Sequence, residues 1–476
     1  MQNQQQERHD RTVLTVHRAA NSAALVHGLA AILAAPPRDA FAPEVIAVPA
    51  KGVERWIAQR LSHLLGAASG DGVCANVDFP WPSTMLDEAL RASSPELEAA
   101  VDAWAPTRLM WPLLEVIDDR ARTEPWCRPL AQHLGVGNED KGRRLAVASK
   151  LARLYDEYGQ SRPEMIKAWA DGRDERGDGT PLDGDLAWQS ELWRALRQHL
   201  GICSPAELLD EACSRLRNQP DLSGLPERLS VFGASRLSPA RLVVLAALAE
   251  HRDVHLWLYH PSPALWHKIS GADAVPRRRA DTSSHLLENP LLASLSRDVL
   301  ELQLLLGWCA PGFSDVVHDR PAPSPTLLGR LKLDLAHDRV RSAPPLLDLD
   351  DRSVQVHACH GRTRQVEVLR EVVVGLLAAD PTLEPRDVLV MCPDVEMFAP
   401  LIASTFSLGA AQDAAHPAAR LRVRLADRAL RQTNALLAVL AQLLKLGTAR
   451  ITASQVLDLA GSPAVRERFG FDDDEV

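Results

Sequence analysis

The sequence lacks the uninterrupted apolar run that a transmembrane helix needs, and its first residues, MQNQQQERHDRTV, lack the apolar core of an export signal. Its seven cysteines are scattered, odd in number and never spaced as CxxC, which argues against a disulfide framework or a cysteine-ligated zinc site. These absences predict reduced thiols, a cytoplasmic location and no membrane partner.

The sequence also lacks the residues with which nucleotide-binding proteins hold phosphate and Mg²⁺. The dipeptide Gly-Lys, which a P-loop requires to hold phosphates, occurs nowhere in the chain. The first apolar run leads into VHRAANSAALVHGL, where residues 17–21 replace the glycines, and the turn PAKG at 49–52 has Lys and Gly in the reversed order. No apolar run ends in the Asp-Glu pair that holds Mg²⁺. We therefore expect neither ATP hydrolysis nor a bound cofactor or metal in this chain.

Charge and length set the remaining limits. The 476 residues suffice for two or three domains. The net charge of −9 argues against a protein that coats nucleic acid with its whole surface, but it is compatible with a local basic channel. The chain has eleven tryptophans and three tyrosines; tryptophan stacks on bases, but it more often fills cores.

Short, nearly continuous apolar runs indicate the fold class. Such runs, each followed by helical periodicity, are typical of strands buried on both faces of a parallel sheet with helices as crossovers. They occupy 13–16, 45–48, 229–232 and 254–259. The sequence therefore predicts an α/β protein.

The domain organisation follows from breaks in this pattern. Residues 1–90 and 226–310 are predicted to form one α/β domain, interrupted by a helical insertion over 91–225. Residues 311–351 are rich in Pro and Asp and are predicted to be a linker. The strand-helix pattern then restarts, so 352–476 is predicted to begin a second α/β domain, with strands at 353–358 and 388–391.

Several stretches, taken in order, resemble the RecC family, the gamma subunit of exodeoxyribonuclease V in the RecBCD complex. Among them are AFAPEVIAVPAKGVERWIAQRLSHLLG, CANVDFPWPSTML, LSVFGASRLSPARLVVLAALAEHRDVHLWLYHPSP and VQVHACHGRTRQVEVLREVVVGLL. The resemblance covers nearly the whole chain. Family members are considerably longer, so it implies an amino-terminal portion without most of the second helicase-like domain and without the carboxy-terminal nuclease-like domain.

The resemblance also implies a function. RecC is a helicase relative without ATPase motifs, so the first domain is expected to be a helicase-like sheet whose P-loop is missing. RecC holds RecB and RecD, helps to split double-stranded DNA ends, and passes single-stranded DNA through tunnels, one of which scans for the Chi sequence. ATP and Mg²⁺ are used by the partner subunits. Two alternatives are an AddB-type subunit with its own ATPase, and a scaffold that never touches DNA.

Residues 49–55 are the first candidate DNA contact, because the resemblance assigns this loop to the scanning tunnel. Lys51 and Arg55 lie at the start of a predicted helix over 53–65, where positive charge opposes the helix dipole, which favours a functional reason for both. An ordinary solvated surface is the alternative. The family member whose Chi reading is best known has mainly uncharged polar residues here, so the charges indicate phosphate positioning or a different preferred sequence.

Five further candidates are dispersed along the chain. Trp81, between two prolines, should be fixed in a rigid extended segment, where it either stacks on a base or fills a domain seam. Arg143 and Arg144 head a helical stretch and either line the tunnel or form a solvated face. Arg362 and Arg364 follow a strand-to-helix turn that a helicase relative brings towards DNA or the interdomain cleft, although Arg364 has Glu367 as an alternative partner.

Overall fold

The computed structural model of the chain describes two compact units, residues 1–353 and 354–476. The described residues are 14–35, 37, 39, 41–66, 72–121, 123–134, 141–272, 281–319, 322–341, 348–412, 421–425, 434–447 and 451–471. Among them, no helix combines the length and apolar character needed to cross a bilayer.

Unit 1 is built on a six-stranded sheet in which every pair of neighbouring strands is parallel, in the order β3-β2-β4-β5-β1-β6. The strands are β1 (Thr15–Ala19), β2 (Glu44–Ala47), β3 (Val77–Asp78), β4 (Arg228–Phe232), β5 (Asp253–Tyr259) and β6 (Ser314–Val317). The four predicted apolar runs overlap β1, β2, β4 and β5. The predicted α/β class with a parallel sheet is therefore confirmed.

Fifteen helices lie in the described part of unit 1. Eight begin with proline, which suits the first helical position because its missing N–H would have no intrahelical partner there. The helices are α1 (Ser22–Leu33), α2 (Lys51–Leu64), α3 (Pro82–Ser93), α4 (Pro95–Ala103), α5 (Pro106–Arg120), α6 (Arg128–Leu134), α7 (Lys141–Ser161), α8 (Pro163–Ala170), α9 (Ala187–Leu200), α10 (Pro205–Asn218), α11 (Pro239–Ala249), α12 (Pro263–Ile269), α13 (Pro290–Leu295), α14 (Arg297–Cys309) and α15 (Leu327–Ala336).

The two faces of the sheet are covered by different helices, because side chains alternate along each strand. In β2, Ile46 packs with apolar residues of α1 and α2. Its neighbours Val45 and Ala47 pack on the opposite side with α11 and α14. The central strands of the sheet are therefore buried on both faces.

A helical cluster lies between β3 and β4 in the sequence. Its core contains Trp104, Trp169 and Trp193, with Trp169 and Trp193 fully buried. These rings contact one another at centroid distances of 5.5 and 6.3 Å. Three of the eleven tryptophans therefore fill a core, as the general preference of this side chain predicts.

The prediction that 311–351 is an unpacked linker is wrong for two of its parts. Strand β6 pairs with β1 over the register Thr15 to Ser314 through Arg18 to Val317. Helix α15 is attached through the carbonyl of Ala336, which accepts a hydrogen bond of 3.0 Å from the Ser262 hydroxyl. Pairing with the free edge of β1 is a non-local interaction, so the Pro-rich sequence around β6 gives no sign of it.

Unit 2 contains five helices among its described residues, namely α16 (Gly361–Ala379), α17 (Val395–Gln412), α18 (Ala435–Leu446), α19 (Ala453–Ala460) and α20 (Pro463–Phe469). The strands predicted at 353–358 and 388–391 do not form. Val356 and Leu389 are 92% and 84% exposed. An apolar run becomes a strand only when a neighbouring strand supplies hydrogen-bond partners, and the described part of this unit contains none.

Candidate functional site

The carboxyl ends of the six strands share one edge of the sheet, because all the strands are parallel. This edge is where open α/β sheets bind ligands. The strand-to-helix turns on this edge include the β1 turn, residues 20–21, which leads into α1, and the β2 turn, which we define as residues 48–55 so that it includes the first residues of α2. A P-loop would occupy the β1 turn.

The β1 turn is already occupied by a carboxylate of the same chain. The backbone N–H groups of Ala20 and Asn21 donate to the two oxygens of Asp319, at 3.0 and 2.8 Å. The Asn21 side chain caps α1 by accepting from the N–H of Ala23 at 2.8 Å. Amides at this place hold phosphate in a nucleotide-binding protein. Here Asp319, just beyond the end of β6, satisfies them.

A buried row of aromatic rings fixes the end of β6 against β1. His17 shares hydrogen bonds with His318 at 2.8 Å and with His255 at 3.1 Å, and it stacks on Trp257 at a centroid distance of 3.8 Å. Burial, assisted by the two neighbouring histidines, lowers the pKa of His17 to about 3. His17 is therefore neutral at physiological pH.

The close approach of His318 to α1 requires the glycine at position 28. A Cβ added to Gly28 would lie 2.3 Å from Cε1 of the His318 ring. A larger residue would therefore displace the ring and disturb its bond with His17. The carboxylate in the β1 turn is thus held by strand pairing, ring contacts and helix packing together.

Arg18, the only cationic side chain at the end of β1, is also used internally. It is buried, and its guanidinium donates to both oxygens of Asp315 at 2.6 and 2.8 Å. Its Cζ lies 4.4 Å from the centroid of the Trp266 ring. Because of this bidentate pair, the charge of Arg18 is not directed at a ligand in the β1 turn.

In the β2 turn, by contrast, the positively charged side chains are exposed. Lys51 is the first residue of α2, with 69% of its side chain exposed, and it pairs with Glu54 at 2.7 Å. Arg55 is exposed and has no hydrogen-bond or ion-pair partner in the described part of the chain. The helix begins two residues earlier than predicted, so Arg55 lies in its second turn and the dipole argument applies to Lys51 alone.

Trp81 lies beside this turn. The N–H of Val48 donates to the carbonyl of Pro80 at 2.9 Å, which brings the segment before Trp81 alongside the β2 turn. Trp81 is 50% exposed and has the extended backbone of a residue preceding proline, at the N-cap of α3. We call Lys51, Arg55 and Trp81 the β2 corner. Trp56, by contrast, packs partly buried against the sheet, as its helical spacing predicts.

The remaining sequence candidates lie on helices of the helical cluster in unit 1 and in unit 2. Arg144 pairs with Asp118 within the helical cluster. Arg143 lies in α7, and its side chain is outside the described residues. Arg362 and Arg364 are exposed in the first turn of α16 in unit 2, where Arg364 pairs with Glu367 at 2.9 Å, the alternative partner weighed from sequence.

Sequence reasoning missed Asp315, His318 and Asp319. All three lie within the segment predicted to be a linker, and their partners are about 300 residues away in the chain, as the separations of 297 to 301 residues show. The one available signal was Val316 and Val317, a very short apolar pair directly before His and Asp.

Comparison with known proteins gives consistent matches. A family profile described as the RecC N-terminal domain matches residues 14–338, and one described as the fourth domain of RecBCD enzyme subunit RecC matches residues 433–476. The second match lies inside the interval 352–476, which is predicted from the sequence to begin a single α/β domain.

Curated relatives carry the same name. The chain is 48% identical over 475 residues to RecBCD enzyme subunit RecC of Mycobacterium tuberculosis H37Rv, with 97% of this chain and 42% of the relative covered. The corresponding protein of Mycolicibacterium smegmatis is 47% identical over 478 residues, with coverage of 97% and 42%. That of Escherichia coli K12 is 29% identical over 482 residues, with coverage of 90% and 41%.

The chain thus spans about two fifths of the length of these relatives. The RecC N-terminal profile alone matches well over half of the 476 residues, and it includes the whole sheet and both turns at its carboxyl edge. On these grounds the chain belongs to the RecC family.

Proposed function

We propose that this chain acts as a RecC-type subunit without nucleotide chemistry of its own, which joins RecB-like and RecD-like partners, helps to split double-stranded DNA ends and guides single-stranded DNA. Its relatives are named as subunits of the RecBCD enzyme, which supports a heterotrimer as the working assembly. ATP and Mg²⁺ are then consumed by the partner subunits.

The observation that carries this proposal is the Asp319 carboxylate in the β1 turn. Its oxygens bond both N–H groups that would hold a phosphate, and a phosphate arriving there would meet a negative charge. This argues against the AddB-type alternative, which needs an open phosphate site. The helicase-like sheet then serves as a rigid body that positions its other strand ends.

The β2 corner supports guidance of DNA. It combines two cationic side chains, one of them without a partner in the described chain, with an exposed tryptophan on a rigid segment. Phosphate neutralisation by Lys or Arg and stacking of bases on an aromatic ring are the two means by which proteins hold single strands. We propose that this corner belongs to the Chi-scanning path and that its charges position phosphates.

A reducing compartment suits this role. All seven cysteines are free thiols, which supports a cytoplasmic location for the proposed complex.

Reconstitution tests the proposal. The purified chain should bind RecB-like and RecD-like proteins of the same organism, and ATP turnover by the mixture should equal that of the partners. The chain alone should show no DNA-stimulated turnover. Turnover by the chain at a helicase-like rate would support the AddB-type alternative, and assembly without any contact to DNA would support the scaffold alternative.

A further inference from the structure

A cavity of about 720 Å³ lies within unit 1, between the helical cluster and the sheet. Its walls are formed by the end of α7 and the start of α8 on one side, and by the start of α11 and by α14 on the other. We call it the insertion cleft. Its lining residues include none from the β1 turn or the β2 corner.

The walls of the insertion cleft are joined at its base. The Ser238 hydroxyl, at the N-cap of α11, bonds the side chain of Gln160 in α7 at 3.2 Å. This link between a sheet-side and a cluster-side element makes the cleft a preformed feature of the unit.

The lining is acidic. Seven carboxylates face four guanidinium groups, and some of those guanidiniums are already paired within the chain. Arg236 bonds Asp298 at 2.8 Å, and Arg176 pairs with Asp183. Glu157 has no ion-pair or hydrogen-bond partner in the described chain. An acidic lining repels phosphates and attracts cationic groups, so the cleft is unsuited to DNA.

The cleft also offers apolar surface. Trp308 of α14 is 59% exposed on its wall, and Leu305 of the same helix also lines the cleft. A large apolar side chain of a ligand could cover this exposed ring.

We propose that the insertion cleft binds a peptide segment of a partner subunit in which a Lys or Arg side chain lies next to a large apolar side chain. The cation would meet Glu157, and the apolar group would pack on Trp308. This inference rests on the proposed function, because the partner is taken to be RecB-like or RecD-like. Exposed aromatic anchors beside complementary charge are typical of such interfaces.

A peptide probe tests the chemistry of the cleft independently of any assembly. The probe is a fluorescein-labelled eight-residue peptide of alternating Arg and Leu, with a Glu and Leu counterpart, titrated against the full chain. Glu157→Lys and Trp308→Ala should each weaken binding of the cationic probe at least tenfold. Matched controls are Glu98→Lys in α4 and Trp111→Ala in α5, where the tryptophan is 55% exposed.

The outcomes separate the two proposals. Equal weakening by the controls, or equal binding of the acidic peptide, would overturn the cleft proposal. With reconstituted RecB-like and RecD-like proteins, the Glu157→Lys, Trp308→Ala double variant should bind at least tenfold more weakly than the parent chain. A double variant that assembles as well as the parent would also overturn it, whereas a parent chain that never assembles would overturn the proposed function, and the peptide titration would still decide the cleft.

Discussion

The β1 turn and the β2 turn have the same topology and lie on the same edge of one sheet, yet their polar groups are used in opposite ways. In the β1 turn, Asp319 satisfies the backbone amides and Asp315 neutralises Arg18. In the β2 turn, Arg55 is exposed and has no partner in the described chain, and Trp81 lies alongside. The position of a strand-to-helix turn therefore does not by itself decide whether the turn can bind a ligand. What decides this is whether the polar groups of the turn already have partners within the chain.

The largest expected effect concerns Trp81. If the β2 turn is the open one, Trp81→Ala in the reconstituted complex should weaken single-stranded DNA binding by about 1–3 kcal/mol, because a stacking platform for a base is lost. Fluorescence anisotropy with a labelled oligonucleotide measures this. Trp111→Ala, another exposed tryptophan, is the control, and an equal loss in both variants would remove Trp81 from the DNA path.

The buried histidines near the β1 turn, His260 and His17, should make the free energy of unfolding depend on pH. Burial, with Arg18 nearby, lowers the pKa of His260 to about 3. Between pH 6.5 and 3 the unfolded state takes up a proton that the folded state does not, so this stability is complete above pH 6.5 and decreases as the pH falls. At pH 5 the loss is about 2 kcal/mol for His260, and His17 adds to it in the same direction.

Urea unfolding followed by tryptophan fluorescence measures this loss, because all eleven tryptophans lie in unit 1. His260→Phe should flatten the pH dependence between pH 7 and 5. His63→Gln, an exposed position on α2, should leave it unchanged. A His260→Phe variant with the parent's pH dependence would show that this ring is not held neutral.

Removal of Asp319 should open the β1 turn. Asp319→Ala leaves the N–H groups of Ala20 and Asn21 without their carboxylate, a loss of about 1 kcal/mol in local stability. Hydrogen exchange in a peptide covering this turn should then become about fivefold faster. Asp319→Asn, which keeps one acceptor oxygen, should give a smaller change. Unchanged exchange in Asp319→Ala would mean that the bonds to Asp319 do not protect the turn.

The smallest effect concerns the charges of the β2 turn. Lys51→Ala and Arg55→Ala should each reduce the slope of log affinity for single-stranded DNA against log salt by about one, because each removes one phosphate contact. Arg153→Ala, an exposed arginine on α7, is the control. A slope identical to that of the parent chain would exclude phosphate contact at these positions.

The two turns also show which features of the fold and of the site could be predicted from the sequence. Strands β2 and β5 were predictable because burial on both faces leaves a continuous apolar run, whereas Val356 belongs to such a run and is exposed without forming a strand. The missing Gly-Lys indicated a lost phosphate site. That Asp319 occupies this site could not be predicted, because Asp319 is 298 residues from Asn21 in the chain and is brought there by the pairing of β6 with β1. Candidates Lys51, Arg55 and Trp81 came from sequence; their proximity depends on the Val48 to Pro80 hydrogen bond.

Photocrosslinking tests the difference between the turns most directly. Single-stranded DNA with photoreactive bases is bound to the reconstituted complex, irradiated, and the labelled peptides of this chain are identified by mass spectrometry. An open β2 turn and a closed β1 turn predict labels within 49–55 or at Trp81 and none within 17–22. Labels within 17–22, with none at 49–55 or Trp81, would contradict the account.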